Sequence, residues 1–226
     1  MTNTIDPTVL IRGDVQIGTG NEILPYTVLI GPLVIGDDNL IGPHVAIGTP
    51  GSDTRNPRHD SSACRIEIGS RNIIREYTAV QKPCYGDITR VGDDCYLMQS
   101  VCVPHDAILE DKVVVCPMVV IAGIVRIMEG ANLGISCSIH QNSVIGAYSI
   151  VGMGAAVTKN VRPFSRYVPG KNISVNAYAV AKYGFEGMSE EIEAYVMEGV
   201  PPKTAKVAGL VARFERAHAG SSRGLY

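Results

Sequence analysis

The chain has 226 residues, a formal charge of −2, 46% hydrophobic residues and 19% charged residues. This composition supports a packed core and excludes a globally disordered chain. Its near-neutral balance offers no basic surface for nucleic acid or anionic lipid. No run of 18 apolar residues occurs, so no membrane span is expected. Residues 1–7 are polar and lack the basic region of a secretory signal. The six cysteines stand singly, so reduced thiols in the cytoplasm are expected rather than a disulfide framework.

The apolar set comprises 26 Val and 23 Ile against 10 Leu, with no Trp and three Phe. Branching at Cβ favours extended backbone, and 24 Gly with 13 Pro supply many tight corners. From Ile11 to Ile47 an aliphatic residue recurs every sixth position. Ile68, Ile74 and Val80 continue the series, and it then runs without a miss from Val91 to Val157. A period of six is not helical. It fits a short strand, a corner and another short strand, so that three hexads close one triangular coil of 18 residues. Stacked coils place each aliphatic residue inside a prism, about 4.8 Å above its equivalent. The Gly that often follows the aliphatic residue lets the corner form without a side-chain clash. The 22 hexads predict about seven coils, and the fold class is mainly β.

Two polar segments interrupt the count, loops at 49–66 and 82–87. Loops ejected from a rigid scaffold are where function concentrates. The prism is expected to span 1–170 and a helical region 171–226. Within the latter, 189–196 carries a Ser N-cap and acidic first-turn residues, Pro201-Pro202 ends it, and 204–219 forms a second helix with Val207, Leu210, Val211 and Phe214 on one face.

Of the five His, His105 and His140 follow inward positions and are expected to face outward. His105 is the better candidate for chemistry. Asp106 adjoins it as a carboxylate able to orient the imidazole, which titrates near neutrality and can take a proton from a hydroxyl. Adding 18 to His105 gives Gly123, and adding 18 again gives Gln141. One column would then hold a base, a bare backbone N–H suited to an oxyanion, and a side-chain amide. No metal is expected. A zinc site on such a fold needs three His ligands, and only His105 and His140 are placed for it.

These residues carry a family resemblance. The stretches 65–76 and 91–98, Pro104-His105-Asp106, 121–123, Ser138-Ile139-His140-Gln141, Lys182-Tyr183-Gly184-Phe185 and Ser222-Arg223-Gly224-Leu225 resemble the UDP-N-acetylglucosamine O-acyltransferases, acyl-ACP-dependent enzymes of lipid A synthesis. The resemblance implies a left-handed parallel β-helix with a short C-terminal helical appendage, a rare exception to right-handed crossovers. It implies His105 as general base, Asp106 as its partner and Gly123 as oxyanion donor. It places Asp53, Arg55, His140, Gln141 and Asn176 near the nucleotide sugar, and Lys182 and Tyr183 near the donor. It further implies a homotrimer with sites between subunits, so that loop residues act on a neighbour's His105. No bound cofactor is implied. The acyl group would arrive on the 4'-phosphopantetheine of an acyl carrier protein, or on CoA.

The departures are specific. Cys102, Ile124 and Gln81 stand where the family has His, Arg55 replaces Lys, and Lys182-Tyr183 replaces two Arg. Lys159, Arg162, Arg166 and Lys171 form a basic cluster that reads either as a dock for an acidic carrier or as a solvated face. Two other readings stand beside O-acylation: acetyl-CoA-dependent N-acylation of a nucleotide amino sugar, and a non-catalytic trimeric scaffold.

Overall fold

The structure, a computed structural model, describes residues 2–56 and 58–226. Short strands distribute in strict rotation among three parallel sheets. The first sheet begins with Thr4–Ile5, Glu22–Ile23 and Leu40–Ile41, the second with Leu10–Arg12 and Val28–Ile30, and the third with Val15–Ile17 and Leu33–Ile35. Register follows the 18-residue repeat, as in Val114↔Asn132↔Ile150 and Arg126↔Val144. Seven coils are complete. In the eighth, the third side shrinks to a single bridge between Ile145 and Val161. The first sheet continues past residue 170. Ser165–Tyr167 pairs antiparallel with Ser174–Val175, so the last sheet residues precede the helices directly.

All the hexad aliphatics except Ile11 and Ile17 are buried. Ile11 is 43% exposed because its coil is the first and nothing caps it from below. Leu97, with no exposed surface, sits mid-stack. Leu97→Ala is expected to cost about 2–5 kcal/mol, read as a lower urea midpoint, since coils above and below hold the cavity open.

The corners divide labour in a way the hexads did not reveal. Gly36, Gly69 and Gly92 lie where successive rungs approach closely. A Cβ on Gly36 would fall 2.8 Å from the carbonyl of Gly69, and one on Gly69 would fall 2.6 Å from that of Gly92. The left-handed backbone falls two residues later, on Asp38, Arg71 and Asp94, and Asp106 adopts it at another corner. Inside one corner Asn21, Asn39 and Asn72 form a ladder. The Asn39 N–H donates to Asn21 Oδ1 at 3.0 Å, and the Asn72 N–H donates to Asn39 Oδ1 at 2.9 Å. These buried polar side chains satisfy backbone donors of successive rungs.

Three helices follow: α1 (Ala177–Lys182), α2 (Ser189–Glu198) and α3 (Ala205–Ala219). Of these, α1 carries no signal in the hexad count. Ser189 opens α2 as its first residue rather than capping it, because a 3-10 turn over Glu186–Met188 precedes it. Val207, Leu210, Val211 and Phe214 are buried as expected. The helix α3 returns to the third sheet, where Glu110 accepts from Arg126 at 2.9 Å and from Arg213, and the Tyr148 hydroxyl donates to Glu129 at 2.7 Å.

Candidate active site

His105 follows the strand Cys102–Val103 at the corner between the second and third sheets. It does point away from the prism interior, yet it is buried, only 7% exposed, because the two ejected loops cover it. The outward placement expected from the count said nothing of this cover. The ejected segments are bounded by Ala46–Thr49 and Arg65–Ile68, and by Ala79–Gln81 and Ile88–Val91.

The Nδ1 of His105 lies 2.8 Å from Asp106 Oδ2. Asp106 adopts left-handed backbone, and its N–H donates to Thr89 Oγ1 at 2.9 Å. The second loop wraps its carboxylate with three consecutive N–H donors: Cys84 at 3.0 Å, Tyr85 at 3.1 Å and Gly86 at 2.6 Å. Burial alone would push the Asp106 carboxyl up, but the hydrogen bonds from His105 and this backbone nest outweigh it and hold it below the usual value. Asp106 is therefore an anion at neutral pH. In a neutral imidazole, a hydrogen on Nδ1 would donate to this anion and leave the lone pair on Nε2.

The predicted column is in register. Cys102 pairs with Val120 and Val120 with Ser138, while the Ile124 N–H donates to the His105 carbonyl and the Asn142 N–H to the Gly123 carbonyl, each at 3.1 Å. Gly123 thus lies one rung from His105. A Cβ there would collide with Cε1, Nε2 and Nδ1 of the imidazole, all under 3.0 Å, so only glycine fits. Among the described residues nothing accepts the Gly123 N–H.

The first loop closes over this pair. A Cβ on Gly51 would strike Cys84 Sγ and lie 3.1 Å from His105 Cβ. Ser52 donates through N–H and hydroxyl to Gln81 Oε1 at 3.1 and 2.8 Å. Lys82 meets Asp60 at 2.7 Å, and Arg58 meets Asp87 at 2.6 Å. Asp53 accepts from Arg55 Nε at 3.0 Å and from the Tyr85 hydroxyl at 2.5 Å. These bonds, Arg55 first and Tyr85 second, hold the Asp53 carboxyl well below the usual range. Within one chain, then, Asp53 and Arg55 reach the same corner as His105.

Two neighbours were missed by sequence reasoning. Cys84 is fully buried, and its Sγ, a ring nitrogen of His105 and an oxygen of Asp106 lie within 4.8 Å of one another. These three side chains could converge on a cation. However, the Asp106 oxygens are already engaged by the imidazole and by the nest, and burial pushes the Cys84 thiol up. The donor set fits an oriented imidazole better than a metal centre. The second is Tyr85. Nothing in the hexad pattern could have found either residue, since both stand in an insertion outside the repeat.

The remaining candidates are distributed differently. His140 is exposed, and its Nδ1 lies 2.6 Å from an Arg223 nitrogen, while Arg223 Nε donates to the Gln141 carbonyl at 2.8 Å. The C-terminal tail thus docks on the rung above Gly123. Asn176 is not brought to this corner. It caps α1, accepting from the Ala179 N–H at 3.4 Å, and its amide donates to the Tyr148 carbonyl at 2.8 Å. Its side chain is occupied inside the fold. Lys182 and Tyr183 also stand apart. Lys182 lies over the Tyr183 ring at 5.2 Å, and Tyr183 packs on Tyr148 at 4.8 Å. A cleft of about 490 Å³ opens beside Asp106, floored by Ile88, Ile108, Ile124 and Val144 and bounded by α3 at Arg216.

A stacked prism of hexads with a buried His–Asp pair on one edge belongs to the hexapeptide acyltransferase class. No protein-family model matches the chain. It is 32% identical over 216 residues to the acyl-[acyl-carrier-protein]–UDP-N-acetylglucosamine O-acyltransferase of Herminiimonas arsenicoxydans, covering 84% of this chain and 79% of that protein. Against the same-named protein of Synechocystis it is 27% identical, over 81% of this chain and 59% of the relative. With several further relatives of that name, the matched stretch spans about half of the relative. The UDP-N-acetylglucosamine acyltransferase structure from Francisella novicida superposes with a TM-score of 0.81 at 22% identity, over 99% of this chain and 91% of that one. The structure from Moraxella catarrhalis gives 0.81 at 22%, over 99% and 97%. The fold is therefore the left-handed β-helix. The chain belongs to the acyl-ACP–UDP-N-acetylglucosamine O-acyltransferase family, enzymes that transfer acyl groups. No helix among the described residues is long and apolar enough to cross a membrane.

Proposed function

We propose that this enzyme moves an acyl or hydroxyacyl group from an acyl-ACP or acyl-CoA thioester to a hydroxyl of UDP-N-acetylglucosamine or a related nucleotide sugar. The observation that carries this reading is the His105–Asp106 pair with the unclaimed Gly123 N–H one rung away. His105 Nε2 takes the hydroxyl proton as the oxygen attacks the thioester carbonyl. The Gly123 N–H receives the resulting oxyanion. Collapse breaks the carbon–sulfur bond, and the imidazolium returns its proton to the departing thiolate. No acyl-enzyme forms. The isoleucine and valine floor of the cleft beside Asp106 suits the apolar part of the donor.

The enzyme acts in the cytoplasm as a homotrimer with sites between subunits. An exposed apolar edge supports self-association: Met118 is 62% exposed, Ile135 48% and Met153 76%, at one corner of three successive rungs. His140, Gln141 and Arg223 then form the rim two rungs above the base, and Asp53 and Arg55 the rim contributed by the first loop.

Purified protein mixed with UDP-N-acetylglucosamine and a panel of acyl-ACP and acyl-CoA thioesters is expected to yield a UDP-sugar heavier by one acyl group, read by intact mass. Failure of every donor to acylate that sugar, under conditions where thioester hydrolysis still depends on His105, would assign the machinery to another acceptor.

A further inference from the structure

Tyr85 touches three parts of the site. Its N–H donates to both Asp106 oxygens at 3.1 Å. Its hydroxyl donates to Asp53 Oδ2 at 2.5 Å. Its ring centroid lies 5.8 Å from that of His105, tilted by 46°. One residue of the second loop therefore joins the first loop, the base and the carboxylate that orients the base.

The side chain is also half exposed, at 50%, while its polar end is committed to Asp53. What it presents beside the imidazole is the bare face of an aromatic ring, at the mouth of the cleft. Such a face matches the C–H face of a pyranose, with apolar contact and few polar demands. Its hydroxyl does a second thing. Arg55 grips both oxygens of Asp53, Nε on Oδ1 at 3.0 Å and a terminal nitrogen on Oδ2 at 3.3 Å, and the Tyr85 hydroxyl adds a further bond to Oδ2, so the Asp53–Arg55 pair is fixed in one orientation beside the ring.

We infer that Tyr85 positions the acceptor: its ring is the stacking wall for the sugar ring, and its hydroxyl fixes the Asp53–Arg55 pair that forms the polar edge of the same wall. It takes no part in proton transfer. This inference deepens the function proposed above and rests on the acceptor being a sugar.

The test separates acceptor binding from chemistry. Acceptor KM, donor KM and kcat are measured for the wild type, Tyr85→Phe and Tyr85→Ala, with calorimetric binding of UDP-N-acetylglucosamine in the absence of donor. Tyr85→Phe keeps the ring and the backbone nest. It is expected to raise acceptor KM about fivefold, the worth of one hydrogen bond, with kcat and donor KM within about twofold. Tyr85→Ala also loses the ring face and is expected to raise acceptor KM about 25-fold, with calorimetric affinity falling in step. His105→Ala, in contrast, keeps acceptor affinity while turnover is lost. A functional wild type whose acceptor KM is unchanged in both Tyr85 variants overturns the inference alone, as does a loss confined to kcat. A wild type with neither affinity for the nucleotide sugar nor acylation of it overturns the functional reading, and the inference with it.

Discussion

His105→Ala is expected to lower kcat/KM by about 10²–10⁴-fold, the usual worth of a positioned general base. The melting temperature should stay within a few degrees, because the ring lies outside the prism core and contributes none of the stacked aliphatics. Circular dichroism and the sedimentation profile would then match the wild type, while acyl transfer monitored by mass disappears. Asp106→Asn tests the second half of the pair. It preserves shape but removes the anion that fixes the Nδ1 hydrogen, so turnover should also fall, at unchanged acceptor affinity. The pH dependence has a definite sign. The Asp106 carboxyl sits below its ordinary value of 3.8, so its stabilising effect is complete above that value and is lost only as pH falls through the depressed one. Asp106 should therefore contribute no limb to the rate profile above its ordinary value of 3.8. Retained turnover in His105→Ala would end the general-base mechanism.

Gly123→Ala carries the second largest expected effect, and for a mechanical reason. The new methyl would occupy space now held by Cε1 and Nε2 of His105. Either the imidazole rotates away from its carboxylate or the rung shifts. Both outcomes move the base relative to the N–H assigned to the oxyanion. A fall of about 10²–10³-fold in kcat is expected, with a stability cost of about 1–3 kcal/mol from overpacking. The decisive measurement is the cycle with His105→Ala. Removing the ring opens the space that the methyl needs, so Gly123→Ala should cost little stability in that background. The two changes would be strongly non-additive. Equal costs in both backgrounds would show that the contact between ring and glycine does not govern this position.

The prism was legible because its periodicity is enforced by burial. Each aliphatic from Ile23 to Val157 on the six-residue register has no alternative place to go once three short strands close a coil. The same counting placed His105, Gly123 and Gln141 in one column, since register in a parallel stack carries over from rung to rung. The helix α1 escaped notice because six residues beginning beside Asn176 offer too little amphipathic pattern. The resemblance placed Asn176 at the nucleotide, and its role as the cap of that helix could not be read from the count. The burial of His105 could not be read either. It depends on where two insertions fold back, and insertions lie outside the repeat that makes everything else countable. Cys84 and Tyr85 were hidden for the same reason. At the corners of Gly36, Gly69 and Gly92 the left-handed backbone fell on Asp38, Arg71 and Asp94 rather than on the glycines, which instead permit the rungs to touch.

The rotation of strands among three sheets makes the rod behave like a combination lock. Removing 18 residues from it would lower everything above by one step and leave each side chain on its own edge. Removing six would instead turn the whole upper portion by a third of a revolution. His140 and the docked tail would then face a different side of the rod from His105, although every hydrophobic residue would still point inward. Stability and chemistry thus obey different arithmetic on this scaffold. The core tolerates any whole number of hexads, but an edge that assembles groups from several rungs tolerates only whole coils.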